Sequence, residues 1–159
     1  MNARTPLYGI LVGLVILLCL GLAWRSYHIA TAGLPGRIDC NSQSDALTRA
    51  GPFAIPIAGT GSMVPFIPAA APGTDRMAIV AYAILEPTAA YDLITPGALC
   101  IYQPDWSPGH AVIHQAMLHD ASGWVMSGLN NAHSEPQWRV TLANFKGIVA
   151  RVYVWPLRK

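Results

Sequence analysis

The sequence predicts a mainly β domain carried behind one N-terminal transmembrane helix. Three observations predict it. Short runs rich in β-branched and aromatic residues recur between turn signals in the second half of the chain. Residues 7–24 (LYGILVGLVILLCLGLAW) carry no charge and are almost wholly apolar. Of the 159 residues, 53% are hydrophobic and only 11% charged, which is apolar even after one membrane span is set aside.

The elements follow in order. Residues 1–6 form a short tail containing Arg4. Residues 7–24 meet the length of a span, which needs roughly 20 apolar residues with a lower limit near 17. Tyr8 and Trp24 sit near its ends as interfacial aromatics, and Arg25 closes it. Ala30-Thr31-Ala32 offers a rival reading as a leader cleavage site. The apolar run exceeds the usual leader core of roughly 7–15 residues, and Arg25-Ser26-Tyr27-His28 is a bulky approach to a cut, so a retained anchor is favoured. Residues 25–58, punctuated by Gly33, Pro35, Gly36, Gly51, Pro52 and Pro56, read as a linker leading into the domain.

Residues 59–159 form the expected domain. Within it, 76–85 (RMAIVAYAIL), 99–102, 111–118 (AVIHQAML), 124–127 and 147–155 (GIVARVYVW) read as strands. Thr95-Pro96-Gly97 and Asp120-Ala121-Ser122-Gly123 read as turns, the second closing a hairpin. Residues 68–74, rich in Ala and Pro, read as irregular.

The chemistry concentrates in Gly59-Thr60-Gly61-Ser62-Met63-Val64-Pro65. Glycines allow backbone conformations that expose a serine hydroxyl and free nearby N–H groups for an oxyanion. A serine hydroxyl is a weak nucleophile and needs an adjacent base. His114, on an expected strand, supplies an imidazole suited to taking and returning a proton near neutral pH. Met63 packs beneath the loop, and Pro65 restricts its turn. Gly61, Met63 and Pro65 are the candidate substrate-binding residues.

Other chemistries find less support. A formal charge of +2 with no Lys/Arg cluster does not point to nucleic acid. His110, His114 and His119 are close in sequence, but on a strand they lack ligand spacing, and no CxxC is present, so no metal site is expected. Cys19 lies in the apolar run, while Cys40 and Cys100 could form one disulfide in an oxidising compartment.

The order of an apolar anchor, Gly-Ser-Met-x-Pro, a strand bearing His, Gly-x-Asn-Asn, and Gly-Ile-Val-Ala-Arg resembles the type I signal peptidases, in particular their His-using branch. The resemblance implies a signal-peptidase-like β-rich domain outside the cytoplasm, with Ser62 as nucleophile and His114 as base. Glu135, following Gly128-Leu129-Asn130-Asn131, falls near the branch's third, acidic position and would orient His114. His133 and Asp120 are alternatives for that role. The family's other branch uses a lysine base, but Lys146 and Lys159 do not match its position. The implied partners are a precursor polypeptide and the lipid bilayer, and no cofactor is implied. This chain departs from the pattern in three places: Gln115 replaces an Arg after the base, Ala98 replaces an Asp after Gly97, and Leu129 replaces the Asp of Gly-Asp-Asn-Asn. A specialised maturation peptidase with one substrate and a non-catalytic, membrane-anchored binding module are the alternative readings.

Overall fold

The computed structural model describes residues 13, 15–19, 33–132 and 138–157. The chain divides into two units, Met1–Ala32 and Gly33–Lys159. In the first, Gly13 and residues 15–19 are helical, and Val15, Ile16, Leu17 and Leu18 are exposed. The rest of the expected anchor at 7–24 lies outside the described residues, and among the described residues no helix is long and apolar enough to cross a membrane.

The second unit is mainly β. Its elements run β1 (Gly36–Asp39), α1 (Gln43–Ala50), β2 (Ile55–Ala58), β3 (Ile79–Leu85), a 3-10 turn (Tyr91–Leu93), β4 (Leu99–Tyr102), β5 (Val112–Asp120), β6 (Gly123–Ser127) and β7 (Phe145–Val154). The described strands form one sheet in the order β2-β3-β7-β4-β5-β6, with β1 added in parallel to β7. β7 is the joint. Its first half pairs with β4 (Cys100 opposite Ile148), and its second half with β3 (Ala81 opposite Val154).

Residues 25–58 are more than the linker expected. From Gly33 onward they are part of the domain and supply β1, α1 and β2. The helix starts at a cap: Ser42 Oγ accepts from the Asp45 N–H at 3.1 Å, and the Asp45 carboxylate accepts from the Asn41 N–H at 3.0 Å. It stops at Gly51, whose φ of 80° suits glycine and whose N–H returns to the Leu47 carbonyl. Ala46 of this helix is fully buried in a cluster with Cys40, Tyr82, Tyr153 and Trp155. β2 contains Pro56 and lies at the sheet edge, where a missing N–H is tolerated.

Every residue of β4 is buried, so both of its faces are covered. Alternation sends Leu99 and Ile101 into a cluster with Ile57, Met63, Val80 and Val152, and Cys100 and Tyr102 into one with Ala116, Trp124 and Met126. Cys40 and Cys100 therefore belong to different clusters. Both are free thiols, and the Cys40–Cys100 bond considered from sequence is not formed.

Gly59, at the exit of β2, is buried where a methyl group would collide with the Ala70 backbone and the Val80 side chain. Overpacking of this kind costs about 1–3 kcal/mol. Gly59→Ala is expected to lower the unfolding free energy by about that amount, read as a lower denaturant midpoint; an unchanged midpoint contradicts this packing.

Candidate active site

The serine loop leaves β2 and is closed at its neck. Gly59 donates to the Ala78 carbonyl (2.9 Å), and Ala70 donates to the Gly59 carbonyl (2.8 Å). Within the loop, Gly61 has φ 88°, a left-handed conformation that disfavours other residues. Met63 and Ile67 are buried and anchor the loop in the core. The Val64–Pro65 peptide is cis. Arg37 of β1 holds the far side, donating from Nη1 to the Pro65 and Phe66 carbonyls at 2.8 and 3.0 Å. Its Nη2 donates to Asp39 at 2.8 Å.

A second segment grips the serine itself. The Asn130 N–H donates to the Ser62 carbonyl at 2.8 Å, and Asn130 Nδ2 donates to the Gly61 carbonyl at 3.1 Å. Gly128 permits this approach, since a Cβ there would lie 2.6 Å from the Ser62 oxygen. Two separate segments thus hold the serine loop, β1 at Pro65 and Phe66 and the 128–130 segment at Gly61 and Ser62, while the Ser62 side chain is half-buried.

His114 arrives from β5. The antiparallel register sets it opposite Cys100 of β4, and only 5% of it is exposed. Its Nε2 lies 3.2 Å from Ser62 Oγ, and its Nδ1 lies 3.3 Å from the Tyr102 hydroxyl. Thr60 Oγ1 lies 3.4 Å from Ser62 Oγ. Burial pushes the Cys100 thiol up to about 12, so the sulfur opposite His114 stays neutral and does not compete for the imidazole's charge.

The structure brings two predicted site residues, Ser62 and His114, into hydrogen-bonding distance. Glu135 and His133 lie outside the described residues. Asp120 sits at the end of β5, where its Oδ2 accepts from Arg139 Nε and Nη2 at 3.1 and 2.8 Å. That hydrogen bond and the Ser122 N–H hold its carboxyl below the usual range. His110 is exposed before β5, and His119 lies beyond His114 on the strand, near Tyr91 and Trp124. Lys146 is exposed in β7, and Lys159 lies outside the described residues.

Gly61 and Met63 border a small cavity of about 10 Å³ beside Ser62, together with Ile57, Ile67 and Ile113. Pro65 is exposed and does not line it. A larger cavity of about 410 Å³, with Asn41, Ser42, Gln43, Thr74, Trp155 and Leu157 in its wall, has no titratable side chain in its lining. It cannot supply the nucleophile–base pair found at Ser62.

Three nearby residues escaped sequence reasoning: Thr60, Tyr102 and Asn130. Thr60 stands two residues before the serine in a glycine-flanked loop, which was a usable signal. The role of Asn130 was hidden in the Gly-x-Asn-Asn segment. The position of Tyr102 depends on the β4–β5 register, which local sequence does not reveal.

The three departures from the signal-peptidase pattern are accommodated without stranded polar groups. Gln115 is buried and donates from Nε2 to the Gly97 carbonyl at 3.1 Å. Ala98 is buried, and Leu129 packs against the core. Among the described residues no buried side-chain nitrogen or oxygen lacks a partner. No protein family, curated protein or solved structure matches the chain.

Gln115→Leu keeps most of the side-chain volume but removes the donor to Gly97. Loss of a buried hydrogen-bond partner costs about 1–3 kcal/mol. A fall in stability of that size is expected in denaturant titration; full wild-type stability contradicts a supporting role for the amide.

Proposed function

We propose that this protein is a membrane-anchored serine endopeptidase resembling the type I signal peptidases, acting on precursor segments near the bilayer. The observation that carries this reading is the 3.2 Å approach of His114 Nε2 to Ser62 Oγ. Nucleophile and base must be within hydrogen-bonding reach before any difference in basicity matters.

In the proposed mechanism, Ser62 Oγ attacks the carbonyl carbon of the scissile bond while His114 Nε2 takes its proton. The tetrahedral oxyanion is met by the Ser62 N–H and the Thr60 hydroxyl. Its collapse breaks the C–N bond, and His114 returns the proton to the departing amine. Water then attacks the acyl ester with His114 again as base, releasing the new carboxyl terminus and restoring Ser62.

The fold supplies a plausible seat for an extended substrate. β2 is the edge strand among the described strands and leads directly into the serine loop, so a peptide can add alongside it through main-chain hydrogen bonds. The cavity beside Ser62, about 10 Å³, is no larger than the space of a single water, so a side chain before the cut must be small to sit there. The resemblance to the signal peptidases likewise implies a small residue, such as Ala or Gly, before the cut. Residues 7–24, read as the anchor, would hold the site at the membrane surface with the domain on the extracytoplasmic side.

The test is cleavage of signal-peptide-bearing precursors by the full chain in detergent. Precursors with Ala before the cut are expected to be processed, and those with Leu or Phe there at least about 100-fold more slowly. Ser62→Ala and His114→Ala are each expected to reduce turnover by at least about 10³-fold while precursor binding is retained. Normal processing by Ser62→Ala would falsify the mechanism. Binding without turnover by the parent chain favours the non-catalytic binding module.

A further inference from the structure

We propose that Tyr102 is the positioning residue for His114, its phenolic oxygen accepting the hydrogen bond from Nδ1–H and so aiming the Nε2 lone pair at Ser62. This deepens the serine-peptidase reading and rests on it for its effect on turnover.

The argument begins with register. β4 and β5 pair with Cys100 opposite His114 and Tyr102 opposite Val112, so residues 100, 102, 112 and 114 share one face. Tyr102 is therefore the diagonal neighbour of His114, within reach of a long side chain. Its ring centroid lies 6.3 Å from that of the imidazole with an interplanar angle of 56°. Only 1% of Tyr102 is exposed, so packing holds the phenol where it stands.

The two imidazole nitrogens then face two hydroxyls. Nε2 lies 3.2 Å from Ser62 Oγ, and Nδ1 lies 3.3 Å from the Tyr102 oxygen. A neutral imidazole carries one N–H. For Nε2 to accept the serine proton, that hydrogen must sit on Nδ1, where it needs an acceptor. The Tyr102 oxygen is placed to be one. The opposite tautomer would direct an N–H at Ser62 and leave no base there. When His114 takes the serine proton, Nδ1–H stays on Tyr102 and the ring does not need to turn. A phenol is uncharged, so it fixes tautomer and orientation while supporting the imidazolium less than a carboxylate does. Removing the outer hydrogen-bond partner of a metal-bound histidine costs about 10–100-fold in activity, and a loss of that order is expected for a partner that fixes the tautomer here.

The test uses the full chain in detergent micelles, labelled with ¹⁵N-histidine, with His114→Gln to assign the His114 signals. The wild type is expected to hold His114 as the Nδ1–H tautomer. Tyr102→Phe removes one oxygen. It is expected to shift His114 toward the Nε2–H tautomer and to lower kcat by about 10–100-fold with little change in KM. A wild-type His114 in the Nε2–H form overturns the proposal without recourse to any variant. So does a folded Tyr102→Phe protein with unchanged tautomer populations. If wild type cleaves no signal-peptide-bearing precursor, the signal-peptidase reading fails, and the tautomer measurement still decides the role of Tyr102.

Discussion

The geometry of the site depends on one strand, β7. The serine loop hangs between β2 and β3, while the histidine belongs to the β4–β5 pair. Among the described strands these two parts of the sheet are hydrogen-bonded to one another through β7, whose ten residues pair with β4 at one end and β3 at the other. A shift of β7 against either neighbour would move Ser62 relative to His114. Hydrogen-bond ladders along both edges oppose that shift, and the parallel addition of β1 gives the second half of β7 a further ladder. Through Arg37, β1 also holds the carbonyls of Pro65 and Phe66, so the same small strand supports both β7 and the serine loop.

The described groups beside His114, the hydroxyls of Ser62 and Tyr102 and the thiol of Cys100, are uncharged. Where the signal-peptidase pattern has a cation and an acid, this chain has Gln115 and Leu129. Burying an ion pair carries a large desolvation cost, and removing only one partner leaves a charge stranded. A neutral amide bonded to the Gly97 carbonyl, with a leucine packed in the core, avoids both penalties. The departures are therefore compatible with an ordered site, since the polar groups that remain buried have partners among the described residues. The amide of Gln115, next to His114 in sequence, is neutral in the same way as the Cys100 thiol and the Tyr102 phenol.

Much of the sheet was legible because β3, β4, β5 and β7 are concentrated runs of β-branched, aliphatic and aromatic residues. β4 lies where expected, and the others differ from expectation by a few residues at their ends. β1 was not legible: Gly36-Arg37-Ile38-Asp39 is short and largely exposed, and it is a strand because β7 lies alongside it. α1 was signalled by Ser42, Asp45 and Gly51, but its eight residues hold too few apolar positions to stand out against a glycine- and proline-rich background. At the site, Ser62 could be read from its glycine neighbours and His114 from its strand. Asn130 and Tyr102 reach them through contacts between segments far apart in sequence, and such contacts leave no local pattern.

The central claim is that His114 activates Ser62. Its most direct measurement is labelling of the full chain in detergent with a fluorophosphonate, followed by peptide mass mapping, because this probe reports an activated serine without needing the natural substrate. A single adduct on Ser62 that is lost in His114→Ala is the predicted result. An unlabelled Ser62, or one labelled equally well without His114, would contradict the account.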